Sequence, residues 1–129
     1  MKMYIKSIMV ESQDQALDFY TNTLGFEVKQ DVPMGEYRWL TLVSPQEPDG
    51  VELGLEPNAH PPSRVYQEAL KADGIPWTAF RVDDLEAEVE RLKTNGVTFT
   101  QLPMTTTGAS FAIFDDTCGN LIQLIELHD

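Results

Sequence analysis

Few side chains in this chain are equipped for chemistry. Cysteine occurs once, at Cys118, and histidine twice, at His60 and His128, against 21 acidic and 9 basic residues in 129. A lone cysteine excludes an internal disulfide and fits a reducing cytoplasm. As a nucleophile Cys118 would need a lowered pKa, and the neighbouring Asp115 and Asp116 push a thiol the other way. In Asp116-Thr117-Cys118-Gly119-Asn120 it reads as a turn residue. His60 falls in a connector and His128 beside the last residue, where both read as exposed polar side chains. Glu86, Glu88 and Glu90 crowd the outer side of an amphipathic helix and read as solvated. Any chemistry therefore rests on side chains that an ordered scaffold must bring together.

That scaffold repeats itself. Val82 to Gly96, VDDLEAEVERLKTNG, reads as a strand end, a capped amphipathic helix and a glycine stop, and Val10 to Gly25, VESQDQALDFYTNTLG, has the same grammar. Valine and glycine lie 14 residues apart in the later copy and 15 in the earlier. In the first, Ser12 precedes Gln15 by three, a capping box, and Ala16, Leu17, Tyr20 and Leu24 make an apolar face with Phe19 at its side. In the second, Asp83 precedes Glu86 by three, and Leu85, Val89 and Leu92 form the buried stripe. Alternation and turn residues place strands at 4–10, 26–32, 37–43 and 51–55, then at 76–82, 97–102, 109–114 and 121–127. Each half is then β-α-β-β-β.

The expected architecture is α+β: a single domain, 1–129, with modules of about 1–57 and 76–129. The two modules pair into a curved, mostly antiparallel sheet with helices outside. The connector, 58–75, has His60-Pro61-Pro62 as an extended breaker, then a short helix around Val65 and Ala69 that stops at Asp73-Gly74. It is either a plain crossover or a lid. No apolar run approaches the length of a membrane span, and the N-terminal MKMYIKSIMVESQD reads as a first strand rather than a signal peptide. The net charge of −12 argues against nucleic acid and anionic membrane surfaces as partners.

Paired βαβββ modules, with VESQDQALDFYTNTLGFEV, VDDLEAEVERLKTNGVTF and FDDTCGNLIQL, resemble the vicinal oxygen chelate superfamily. Its members include glyoxalase I, extradiol dioxygenases, fosfomycin resistance enzymes and the bleomycin resistance proteins. In its metalloenzymes, inward-facing His or Glu side chains on the first and fourth strands of each half hold a divalent metal. The matching positions here are Ile5, Glu52, Trp77 and Gln123. Isoleucine and tryptophan have no donor atom, and a glutamine amide oxygen is a poor substitute for a carboxylate. The resemblance therefore implies the fold without the usual metal, and no cofactor is expected. It also implies a homodimer, in which clefts lie within one chain or are shared between two.

Strand alternation puts Ser7 and Met9 with Ile5, Gly54 and Glu56 with Glu52, and Ala79 and Arg81 with Trp77. The middle strand adds either Trp39 and Thr41 or Arg38 and Leu40. Two functions follow. In a binding module, Trp77 is an aromatic platform, and Glu52, Arg81 and Gln123 orient a small organic ligand that Ile5, Ser7 and Trp39 help enclose. Trp77 reads equally as ordinary core packing. In a metal-independent lyase or isomerase, Glu52 is the catalytic residue. Burial against Ile5 and Trp77 raises its pKa, it abstracts a proton beside a carbonyl, and Arg81 or Gln123 stabilises the oxyanion. A metalloenzyme with non-standard ligands is the remaining alternative.

Overall fold

The computed structural model describes residues 1–129. The order is β1 (Ile5–Val10), α1 (Gln13–Asp18) running into a π-helical turn (Phe19–Thr23), β2 (Glu27–Met34), β3 (Tyr37–Val43), β4 (Glu52–Pro57), α2 (Pro61–Ala72), β5 (Thr78–Arg81), α3 (Leu85–Thr94), β6 (Phe99–Thr106), β7 (Ala109–Asp115) and β8 (Leu121–Leu127). The chain forms two compact units, Met1–Val65 and Tyr66–Asp129, with the boundary inside α2. Each unit has a four-stranded mixed sheet, ordered β1-β4-β3-β2 in the first and β5-β8-β7-β6 in the second. β1 runs parallel to β4 and β5 to β8, and the remaining pairs are antiparallel. The α+β class and the repeated β-α-β-β-β order are those expected.

The helix signals mostly hold. Ser12 caps α1 by accepting the Gln15 N–H at 3.2 Å. The cap of α3 is Asp84, one residue later than the sequence pattern suggests. Its carboxylate accepts the Ala87 N–H at 3.1 Å, a bond that needs the extended backbone Asp84 adopts. Gly25 and Gly96 end the two repeat helices with φ of 93° and 84°, a conformation side chains resist. In the first copy Leu24 N–H bonds the Phe19 carbonyl, five residues back, which is the mark of the π turn.

Several boundaries differ from expectation, β4 running on to Pro57 and β5 shortening to Thr78–Arg81 among them. His60-Pro61-Pro62 does not break the chain: both prolines open α2, where their missing N–H groups have no partner to lose. β2 runs on to Met34. β6 continues through Pro103 as an edge strand, with one register shift between Phe99 and Gln101 and a second, between Gln101 and Met104, that spans the proline.

The cores lie on the helix side of each sheet. α1 packs on β3 and β4, where Ile8, Val10, Ala16, Tyr20, Leu40, Leu42 and Leu55 are buried. α3 packs on β6, β7 and β8, where Leu85, Val89 and Leu92 meet Ala112, Phe114, Ile122 and Leu124. α2 buries only Gln67, whose amide donates to the Cys118 carbonyl at 3.3 Å and to Asn120 Oδ1 at 3.1 Å. No helix is long and apolar enough to cross a membrane.

Candidate functional site

The opposite face of the first sheet carries the candidate residues. Ile5 is paired with Glu52, and a row crosses the sheet from Ser7 to Gly54, Thr41 and Gln30. Thr41 thus shares a face with Gly54, and alternation adds Trp39, although Arg38 and Leu40 also border the groove on this unit. Arg38 and Leu40 belong to the helix face: Leu40 is core, and the Arg38 guanidinium reaches Asp14 at 3.0 Å and Asp31 at 3.5 Å.

A groove of about 270 Å³ lies on this unit. Ile5, Met9, Trp39, Thr41, Gly54 and Glu56 line it from the sheet, and Met34, Tyr37, His60 and Ser63 are among its other walls. Gly54 gives it a bare backbone floor. A Cβ there would stand 2.9 Å from Ser7 Oγ, close enough to displace it, and a tight 3.1 Å from Ile5 Cδ1. Ser7 stands beside Gly54 in the sheet.

Glu52 is buried at 7% exposure. Its Oε1 accepts from Thr41 Oγ1 at 2.6 Å and from Gln30 Nε2 at 2.7 Å, and the same Gln30 amide donates to the Tyr4 hydroxyl at 2.8 Å. The Thr41 hydroxyl, then the Gln30 amide, hold the carboxyl below the usual range. Burial opposes them, and the Lys29 charge assists. This corrects the sequence expectation of a raised pKa, which counted desolvation and not the two donors.

The other candidates belong to the second unit. Trp77 stands just before β5; its N–H bonds the Leu121 carbonyl at 2.8 Å, and its half-buried ring meets Tyr66 of α2 edge-on at 5.5 Å. Gln123 on β8 lies between Ala79 and Ile113 in register, and Arg81 is opposite Ile125 with its side chain exposed. The first sheet face therefore gathers Ile5, Ser7, Trp39 and Glu52, and Trp77, Arg81 and Gln123 are residues of the second.

Sequence reasoning missed Gln30, Met34 and Tyr37. Gln30 reaches the Thr41 row through a bulge between Val28 and Gln30, and no glycine or proline marks that bulge. His60 is exposed and borders the groove. His128 is engaged, its Nε2 lying 2.7 Å from Ser110 Oγ. Cys118 is buried in the β7–β8 turn, its N–H donating to Asp116 Oδ1. No three His, Cys, Asp or Glu side chains come together. Of the four positions the resemblance assigns to metal ligands, Ile5 and Trp77 offer no donor atom, so those four side chains do not fit a divalent ion.

The family model described as Glyoxalase/Bleomycin resistance protein/Dioxygenase superfamily matches residues 4–124. The uncharacterized protein YurT of Bacillus subtilis strain 168 is 53% identical over 126 residues, covering 98% of this chain and 99% of that one. The crystal structure of UcmS2 is 33% identical with a TM-score of 0.84 and covers 97% of both chains. That of TnmS3, an antibiotic binding protein from Streptomyces sp. CB03234, is 27% identical with a TM-score of 0.76, covering 99% of this chain and 97% of that one.

Proposed function

Because the chain belongs to the glyoxalase/bleomycin resistance protein/dioxygenase superfamily, we propose that it binds a small organic molecule in the groove of its first unit, without transforming it and without the divalent metal of the family's enzymes. The observation that carries this reading is the state of Glu52. The carboxylate placed to act as a base has its proton affinity lowered by the hydrogen bonds from Thr41 and Gln30. A carboxylate so stabilised is a weak proton acceptor, which disfavours general-base catalysis. The groove has the make-up of a binding site: an aromatic and aliphatic lining, a bare backbone floor at Gly54 and a few polar groups. Support also comes from TnmS3, a structural relative described as antibiotic binding. A reducing cytoplasm suits the buried Cys118, which forms no disulfide.

The test is a thermal-shift screen of a broad library of organic compounds, followed by mass spectrometry of each stabilising compound after incubation with the protein. Stabilising compounds are expected and should be recovered unchanged. Trp39→Ala, which strips one aromatic wall from the groove, should weaken their binding by about tenfold. A library with no stabiliser, or compounds recovered in altered form, would refute the reading.

A further inference from the structure

The groove is lined by one charge that no other side chain matches. Of the residues around it, Arg38 and Glu56 carry a full charge at neutral pH. The Arg38 guanidinium is engaged by two carboxylates, Asp14 at 3.0 Å and Asp31 at 3.5 Å, and its Nε is buried beside the second. Glu56 is half-buried and enters no ion pair and no side-chain hydrogen bond. The fixed charge left facing the groove is therefore negative. A half-buried carboxylate keeps only part of its hydration, so a positive partner interacts with it more strongly there than on the open surface.

The neighbours of Glu56 suit a cation with an apolar body. In register it stands beside Met9 of β1. The antiparallel pairing of Thr41 with Gly54, carried two residues on along each strand, brings Trp39 opposite Glu56. Met9, Glu56 and Trp39 thus cross the sheet as one row, and all three line the groove. Tyr37 follows two residues beyond Trp39 and lines it too. An aromatic ring beside a carboxylate favours an organic cation, because the π face attracts the positive charge and the carboxylate matches it. A bare metal ion is a poor occupant, since it needs several hard donors and no three His, Cys, Asp or Glu side chains come together. The net charge of −12 also draws organic cations toward the protein.

Resting on the groove as the ligand site, we infer that Glu56 selects its ligand by charge, and that the ligand is an organic cation. An ammonium or amidinium group sits against Glu56 and Trp39, and its apolar body lies over Ile5, Met9 and Tyr37. The groove volume of about 270 Å³ is at the small end for ligand sites, so the body is small. Glu56 is a specificity-determining residue in this arrangement, and the apolar lining supplies most of the contact.

The test uses triads of equal body and different charge: naphthylmethylamine, naphthylmethanol and naphthoic acid, then benzylamine, benzyl alcohol and benzoic acid. Affinities are measured by titration calorimetry at neutral pH and about 0.1 M salt, where long-range attraction is screened. The proteins are wild type, Glu56→Gln, Trp39→Ala and a control for net charge, Glu86→Gln, on the exposed side of α3. In wild type, the amine of at least one triad should bind about tenfold tighter than its alcohol, and the acid should bind weakest. In Glu56→Gln the amine-to-alcohol ratio should fall to about one while the alcohol binds as before, which also shows that the groove keeps its shape. Glu86→Gln should leave the wild-type ratio. An amine that binds wild type no better than its alcohol would overturn the cation inference, as would a preference that survives Glu56→Gln or is lost equally in Glu86→Gln. Alcohol binding that Trp39→Ala weakens would then leave the groove standing. Failure of every probe to bind would also overturn the cation inference, and the library screen then decides the groove reading by itself.

Discussion

Thr41 and Gln30 decide what Glu52 is. Because their hydrogen bonds favour the ionised form, the folded pKa lies below that of the unfolded chain. The resulting stability is present above the unfolded value and is lost as pH falls through the folded one. Thr41→Val removes the larger cause. The variant should be less stable than wild type at neutral pH by about 1–2 kcal/mol. The deficit should shrink at about pH 3, where the carboxyl is protonated in the unfolded chain and increasingly so in the folded one. Urea midpoints of both proteins at the two pH values check this. An equal deficit at both would mean that Thr41 does not hold the charge. Glu52 itself was legible from strand alternation and the resemblance. Its donors were not, since the Val28/Gln30 bulge changes parity without any residue that announces it. Burial alone, which the apolar run VELGLE does suggest, gave the wrong sign for its pKa.

At the scale of elements, Gln13 joins the first turn of α1 to two strands. Its amide donates to the Arg38 carbonyl at 2.7 Å and to the Leu55 carbonyl at 2.9 Å, and its oxygen accepts the Arg38 N–H at 3.1 Å. Gln13→Ala leaves three backbone groups short of a partner and should cost about 2 kcal/mol in urea unfolding. A loss within experimental error would show that water replaces the latch. The two repeat helices were legible because each carries a cap, an apolar stripe and a glycine stop. α2 was only partly legible. Val65 and Ala69 suggest a buried stripe, yet both are exposed, and the one buried side chain is the polar Gln67. Periodicity finds helices that bury apolar faces and is blind to one anchored by an amide. The Lys71–Asp115 ion pair at 3.1 Å and the Tyr66–Trp77 edge contact are equally invisible to it.

At the scale of the whole molecule, a charge of −12 acts against compactness. Sodium chloride raised from a few mM to about 0.5 M should lift the melting temperature by a few degrees, because screening relieves repulsion among the carboxylates. A fall with salt would mean that attractive pairs such as Arg38–Asp14 outweigh it. The fold at this scale was legible through duplication: two halves with one grammar constrain each other's strands. The copies are nevertheless unequal, with the first spanning one residue more between its valine and its glycine. In a regular helix a surplus residue would rotate everything beyond it by about 100°. The π turn at Phe19–Thr23 swallows it, and Phe26 still stacks on Tyr20 with ring centres 6.5 Å apart. The widened turn thus takes up the one residue by which the first helical segment exceeds the second, whose α3 is regular throughout.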